Sequence, residues 1–173
     1  YSHIQESNIK SIKDVFYYLQ DVSYSLKTSL MNKYYFAYGS NLNHDHMKFR
    51  CPNARFVGTL TLPDWELVFR GVADISQQPG KEVQGGLFAI TDICEQSLDI
   101  YEGYPHLYTK GYFTIQMDKK KQDVMTYLMN DRNYLSEPNG SYLETIKQGY
   151  LDCGLPLEQL NQSVINSKEV NNE

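Results

Sequence analysis

Two short stretches of the 173-residue chain carry residue types suited to binding and proton transfer. The first is Tyr38-Gly39-Ser40-Asn41-Leu42. A strand ends there, a glycine removes the Cβ, and a helix is expected to follow at once. Such a joint points successive backbone N–H groups at one place, where an anion is favoured. Gly39 lets a ligand approach the main chain, and Ser40 and Asn41 add polar side chains. A strand–turn–helix joint capped by asparagine explains the same residues without any ligand. The second stretch is Tyr101-Glu102-Gly103-Tyr104-Pro105. A glutamate at a helix end sits where the dipole prefers a cation. Tyrosines at 101, 104 and 108 hem it in, and desolvation raises a carboxyl pKa toward neutrality, as a general base needs. Read alone, an exposed carboxylate before a glycine stop is the simpler account.

Other chemistry has little support in the residues. His44 and His46 stand two apart on an expected helix, face different ways and make a poor metal pair. Ser40 lacks evident His and Asp partners and Cys51 lacks a base, so nucleophilic catalysis is not indicated. Cys51, Cys94 and Cys153 are odd in number and far apart, which suits a reduced, cytoplasmic protein with partly buried thiols better than a disulfide framework or zinc site. Sixteen basic against twenty-one acidic residues give a net charge of −5, which argues against a nucleic-acid or anionic-membrane partner. No apolar run approaches the ~20 residues that span a bilayer. The lysines at 119–121 read as a solvated hairpin turn, and Gly85-Gly86 as close strand packing or a bulge. Fifteen tyrosines suit both strands and the walls of a polar pocket, and composition does not choose between them.

The elements that must position these residues follow from periodicity and punctuation. Residues 1–33 read as a helical arm with Ile12, Phe16, Leu19 and Val22 on one stripe, which must pack on the following domain or on a second chain. A domain is expected from 34 to 165, and residues 166–173 as a polar, frayed tail. Within the domain, strands are expected at 34–38, 55–61, 65–70, 83–90, 108–117 and 122–129, with a loop at Gln77-Gln78-Pro79-Gly80. Helices are expected at 43–50 and from Ile93 to Tyr101 or Glu102. A third opens on a Ser141…Glu144 capping box and ends at Gly154, and a last one follows Pro156. Strict βαβ alternation is absent, so the reading is α+β: a small mixed β-barrel or curled sheet with helices outside, not a doubly wound parallel sheet.

Taken together, the two stretches gain a meaning that neither has alone. Tyr35-Phe36-Ala37-Tyr38-Gly39-Ser40-Asn41-Leu42, followed about sixty residues later by Ser97-Leu98-Asp99-x-x-Glu102-Gly103, resembles the γ-glutamylcyclotransferase family. Pro79-Gly80-x-x-Val83-x-Gly85, Tyr127-Leu128-Met129, and Tyr142 ahead of Gly154-Leu155-Pro156 fall in the family's order, so the resemblance runs from about 34 to 160. It implies a compact mixed barrel with the turn and the glutamate at a cavity mouth. It also implies release of 5-oxoproline from a small γ-glutamyl substrate, without metal or organic cofactor. On this resemblance Glu102 is the catalytic acid/base, Tyr35, Phe36, Ala37, Tyr38, Gly39, Ser40, Asn41 and Leu42 form the substrate cradle, and Tyr142 is a further binding residue. Tyr104-Pro105 and the N-terminal arm depart from the family pattern, which leaves the leaving group open between an amino acid and an amine. A non-catalytic small-molecule or protein-binding module on the same fold is the alternative, against which Glu102 itself speaks. A homo-oligomer built through the arm is the partner expectation.

Overall fold

A computed structural model describes residues 12–13, 15–20, 23, 31 and 33–169 of the chain. Five strands, β1 (Lys33–Ala37), β2 (Arg55–Phe69), β3 (Ala73–Ile90), β4 (Tyr108–Met117) and β5 (Lys120–Met129), form one sheet in the order β2-β3-β1-β5-β4. All neighbours are antiparallel except β1 and β5, which run parallel with Tyr34 opposite Val124 and Tyr35 opposite Met125. A 3₁₀ turn (Ser40–Leu42) and four helices complete the domain: α1 (His44–Arg50), α2 (Asp92–Glu102), α3 (Gly140–Cys153) and α4 (Glu158–Glu169). The fold is therefore mixed α+β, but the sheet is open and not the expected barrel. Closure requires the two edges to pair, and β2 instead finds α4, whose Ser163 hydroxyl donates to the Leu67 carbonyl at 2.7 Å. No helix among the described residues is long and apolar enough to cross a membrane.

Local chemistry explains most element ends. Asn43 caps α1 by accepting from the His46 N–H, and Thr91 caps α2 by accepting from the Cys94 N–H. Gly103, at φ 65°, ends α2 in the left-handed region that glycine enters without strain. Asp118 and Lys119, both at positive φ, make the two-residue turn between β4 and β5. The cap of α3 is Asn139, which accepts from the Tyr142 N–H, and not Ser141, which donates to that same asparagine. Glu144 pairs with Lys147 instead of reaching back to the helix start.

Longer-range pairing changed three expectations. The segments read as 55–61 and 65–70 are one strand, kinked at Asp64. Gln77-Gln78-Pro79-Gly80 is no loop. Pro63 faces Glu82 and Trp65 faces Gln77, so residues 78–81 bulge against Asp64 alone, whose carboxylate accepts from the Gly80 N–H. The final helix runs to Glu169, beyond the start expected for the tail, because Ser163 and Ser167 lie on its buried face beside Leu160. The arm residues described between 12 and 23 are helical, yet Ile12, Phe16 and Leu19 are exposed among the described residues. An apolar stripe shows that a helix is amphipathic, not which surface receives it. Val22 lies outside the described residues.

Two glycines set how closely the site's supports approach. A Cβ on Gly85 would stand 2.3 Å from the Ala37 carbonyl oxygen and 2.6 Å from the Phe36 ring, so β3 can lie against β1 only without one. A Cβ on Gly149 would stand 2.5 Å from the Asn43 nitrogen and 2.6 Å from the Leu42 carbonyl carbon. Helix α3 thus backs directly onto the 3₁₀ turn. Gly149→Ala is expected to lower stability by about 1–3 kcal/mol through this overpacking. Urea unfolding with an unchanged m-value and a lower midpoint is the expected result; an unchanged midpoint would show that the turn has room to move.

Candidate active site

The end of β1, the 3₁₀ turn, the β2–β3 turn, the end of α2, β4, β5 and α3 converge on a cavity of about 250 Å³. Six of its lining residues are tyrosines: Tyr35, Tyr38, Tyr101, Tyr108, Tyr127 and Tyr142. Gly39, Ser40, Asn41, Val72, Ala73, Leu107 and Glu102 complete the wall. The abundance of tyrosine is thereby put to use, since each ring supplies an apolar wall and each hydroxyl finds a partner. Tyr38 donates to the Tyr127 carbonyl at 2.6 Å, Tyr127 to the Asp99 carboxylate at 2.6 Å, and Tyr108 to the Ala73 carbonyl at 3.0 Å. Tyr142 accepts from the Ala73 N–H at 3.2 Å. Burial pushes the Tyr142 hydroxyl up to about 12 and moves those of Tyr35, Tyr38, Tyr108 and Tyr127 well above the ordinary range, so all stay neutral.

Helix α2 brings Glu102 to this wall by an acidic face. Asp92, Glu95, Asp99 and Glu102 lie at steps of three and four residues and share one side of the helix. Lys33 reaches Asp92 at 2.7 Å and also binds Glu95, while Lys110 reaches Glu95 at 2.6 Å and Asp99 at 2.8 Å. Burial acts to raise the Glu95 pKa, but Lys110 and Lys33 outweigh it and hold it low. Glu102 meets no lysine among the described residues. Its Oε1 accepts from Asn41 Nδ2 at 2.9 Å, its one hydrogen bond among the described residues. Burial raises its pKa from the ordinary 4.5 to about 7, against the opposing effects of the Arg50 charge and the Asn41 hydrogen bond.

Gly39 has a negative φ of −119°, and its missing Cβ leaves space at the cavity. A Cβ there would stand 3.0 Å from the Ala73 Cβ and 3.5 Å from the Tyr142 hydroxyl. The N–H groups of Gly39, Ser40 and Asn41 have no acceptor among the described residues, whereas those of Leu42 and Asn43 close the turn. The Ser40 hydroxyl lies 3.0 Å from that of Tyr101. Of the residues singled out in the sequence, Tyr35, Tyr38, Gly39, Ser40, Asn41, Glu102 and Tyr142 meet at the cavity. Phe36, Ala37 and Leu42 do not; they are fully buried in the core. Tyr104 also points elsewhere, its ring under the Lys110 ammonium. Tyr127, Val72 and Arg50 were not singled out. Only the Tyr127-Leu128-Met129 match hinted at the first, and nothing local marks the others.

An α+β chain with an open mixed sheet and a tyrosine-walled cavity around one half-buried carboxyl has the construction of a small-molecule enzyme. Residues 35–149 match the family described as gamma-glutamyl cyclotransferase, AIG2-like. The gamma-glutamylcyclotransferases of Bos taurus and Homo sapiens are each 34% identical, over 152 residues (79% of this chain and 79% of that protein) and 142 residues (72% and 73%) respectively. A solved gamma-glutamyl cyclotransferase superposes with a TM-score of 0.64 at 27% identity, covering 80% of this chain and 86% of its own. The chain belongs to the gamma-glutamyl cyclotransferase, AIG2-like family and is an enzyme of the cyclotransferase type.

The raised Glu102 pKa has a consequence for stability. Below about pH 4.5 the carboxyl is neutral both folded and unfolded and costs nothing. As pH rises to about 7 the unfolded chain loses this proton first, so folding becomes steadily less favourable. Above that the penalty levels off, on the order of 3 kcal/mol. Glu102→Gln escapes it. Thermal melts should therefore show the variant gaining on the wild type between pH 5 and pH 8, and a gap that does not change with pH would mean that burial does not hold the proton.

Proposed function

We propose that this enzyme releases 5-oxoproline from a γ-glutamyl amino acid or amine, with Glu102 as general base and then general acid. The observation that carries the reading is a single carboxyl with a pKa near 7 in a tyrosine-lined cavity, beside a turn whose Gly39, Ser40 and Asn41 N–H groups have no acceptor among the described residues. The substrate amine is an ammonium at neutral pH and attacks only after losing a proton. Glu102 takes that proton, and the amine nitrogen bonds to the γ-carbonyl carbon to close a five-membered ring. The tetrahedral intermediate then collapses. The amide C–N bond breaks as Glu102 returns its proton to the departing nitrogen, and the ring nitrogen sheds its remaining extra proton to solvent to leave the neutral lactam. Acid–base help of this kind is worth on the order of 10²–10⁴ in rate.

The chain's own groups suit the remaining demands. The N–H groups of Gly39, Ser40 and Asn41 are donors for the oxyanion or the substrate carboxylate. The 250 Å³ cavity is small enough to hold the glutamyl chain bent toward ring closure. Residues 34–165 are the unit we assign this activity, with residues 1–33 appended to it.

Two measurements test the assignment. Glu102→Gln retains size and most hydrogen bonding, so kcat for 5-oxoproline release should fall by about 10²–10⁴ while substrate still binds. For the wild type, kcat/KM should rise about tenfold per pH unit below a midpoint near 7 and level above it. A variant within a few-fold of wild type on an active γ-glutamyl substrate would remove Glu102 as the base. Separately, Gly39→Ala should weaken 5-oxoproline binding by about tenfold in calorimetry, by crowding Ala73 and the Tyr142 hydroxyl. Unchanged affinity would take the turn out of the binding site.

A further inference from the structure

Arg50, the last residue of α1, is not part of the cavity wall, yet it touches two residues that are. Its Nη1 donates to Asn41 Oδ1 at 2.7 Å, and its guanidinium carbon lies 3.5 Å from the centre of the Tyr101 ring. We propose that Arg50 is a positioning residue of the site, fixing Asn41 so that its amide nitrogen, and not its oxygen, is presented to Glu102.

The argument is one of donors and acceptors. A guanidinium only donates, so the asparagine atom it meets must be the carbonyl oxygen. The amide nitrogen is then turned the other way, where it donates to Glu102 Oε1 and to the Tyr35 hydroxyl, each at 2.9 Å. A flipped Asn41 would set its oxygen against the carboxylate, two acceptors with no proton between them once Glu102 has ionised. The stack on Tyr101 fixes a second element, because the Tyr101 hydroxyl meets Ser40 across the cavity. One cation thus orients both the turn and the end of α2. Its own place is secured by the stop of α1 at Cys51, whose thiol donates to the Cys94 carbonyl at 3.4 Å and ties α1 to α2.

Arg50 also supplies the positive charge that acts on Glu102. The other groups facing the carboxyl from β1, β4, β5 and α3 are Tyr35, Tyr38, Tyr108, Tyr127 and Tyr142, all held neutral by burial. The two contributions of Arg50, charge and planar donor geometry, separate in two variants. Arg50→Lys keeps the charge and loses the fork and the stack; Arg50→Gln keeps an amide donor and loses the charge.

The proposal rests on Glu102 as the base, so the test pairs an activity profile with a measurement that needs no activity. Carbon-detected NMR titration of the Glu102 carboxyl, and the pH dependence of 5-oxoproline release, are followed in wild type and both variants. Arg50→Gln should raise the Glu102 midpoint by about one pH unit in both measurements, with activity at pH 7 falling about five-fold or more and recovering toward pH 9. Arg50→Lys should leave the midpoint in place while kcat falls about tenfold at every pH, with little change in KM. A midpoint unmoved in Arg50→Gln, or wild-type kcat in Arg50→Lys, would overturn the proposal. If the wild type releases no 5-oxoproline, the functional reading fails, and a midpoint unmoved in Arg50→Gln would still overturn the contact of Arg50 with the site. If Arg50→Gln does not fold, Arg50→Lys decides it alone.

Discussion

The docking of helix α2 against the sheet governs the site. Three of the four carboxylates on its acidic side are paired with Lys33 and Lys110, which rise from β1 and β4. Those pairs add to the burial of Cys94 and Leu98 in seating the helix on the sheet. The fourth carboxylate, Glu102, is then delivered one turn further on, past the reach of either lysine. Had a third lysine met it, its pKa would fall as that of Glu95 does, and no proton would be exchanged near neutrality.

What holds Glu102 near neutrality is a balance of opposing effects. Burial disfavours the charged form, as does the negative end of the helix dipole on which it sits. Arg50 and the Asn41 amide favour it. Burial wins, but by a margin that leaves the group poised near 7 and not locked as a neutral acid. Such a placement costs folding free energy, a common expense at functional sites. The surroundings absorb it: the polar side chains at the cavity are bonded to one another, with no buried side-chain oxygen or nitrogen left unpartnered among the described residues.

The tyrosine wall completes this logic. A wall of leucines would exclude water but offer nothing to a polar substrate, and a wall of charged residues would undo the desolvation. Tyrosine supplies bulk and a neutral hydroxyl. Several of these hydroxyls are already engaged with backbone atoms, so they also brace strands against turns. Tyr108 and Tyr142 both bind Ala73, which pins the β2–β3 turn to the cavity edge.

The sequence by itself determined what depends on neighbours along the chain. The helix of Glu102, its glycine stop, the asparagine in the turn and the lysine hairpin are each set by a few adjacent residues, and these are where pattern and structure agree. The pairing of Tyr38-Gly39-Ser40-Asn41 with Glu102 was legible only through a family resemblance, because residues sixty positions apart carry no local mark of proximity. Tertiary structure decided the rest. Whether the sheet closes depends on its two edges, and α4 takes the β2 edge. The Pro79-Gly80 turn signal became a bulge because the strands on either side pair with one continuous partner. Serines on the buried face of α4 concealed its length, and a basic residue at a helix end gave no hint that it would reach Asn41 and Tyr101. Each of these is settled by a contact between distant parts of the chain, and one-dimensional periodicity holds no record of such contacts.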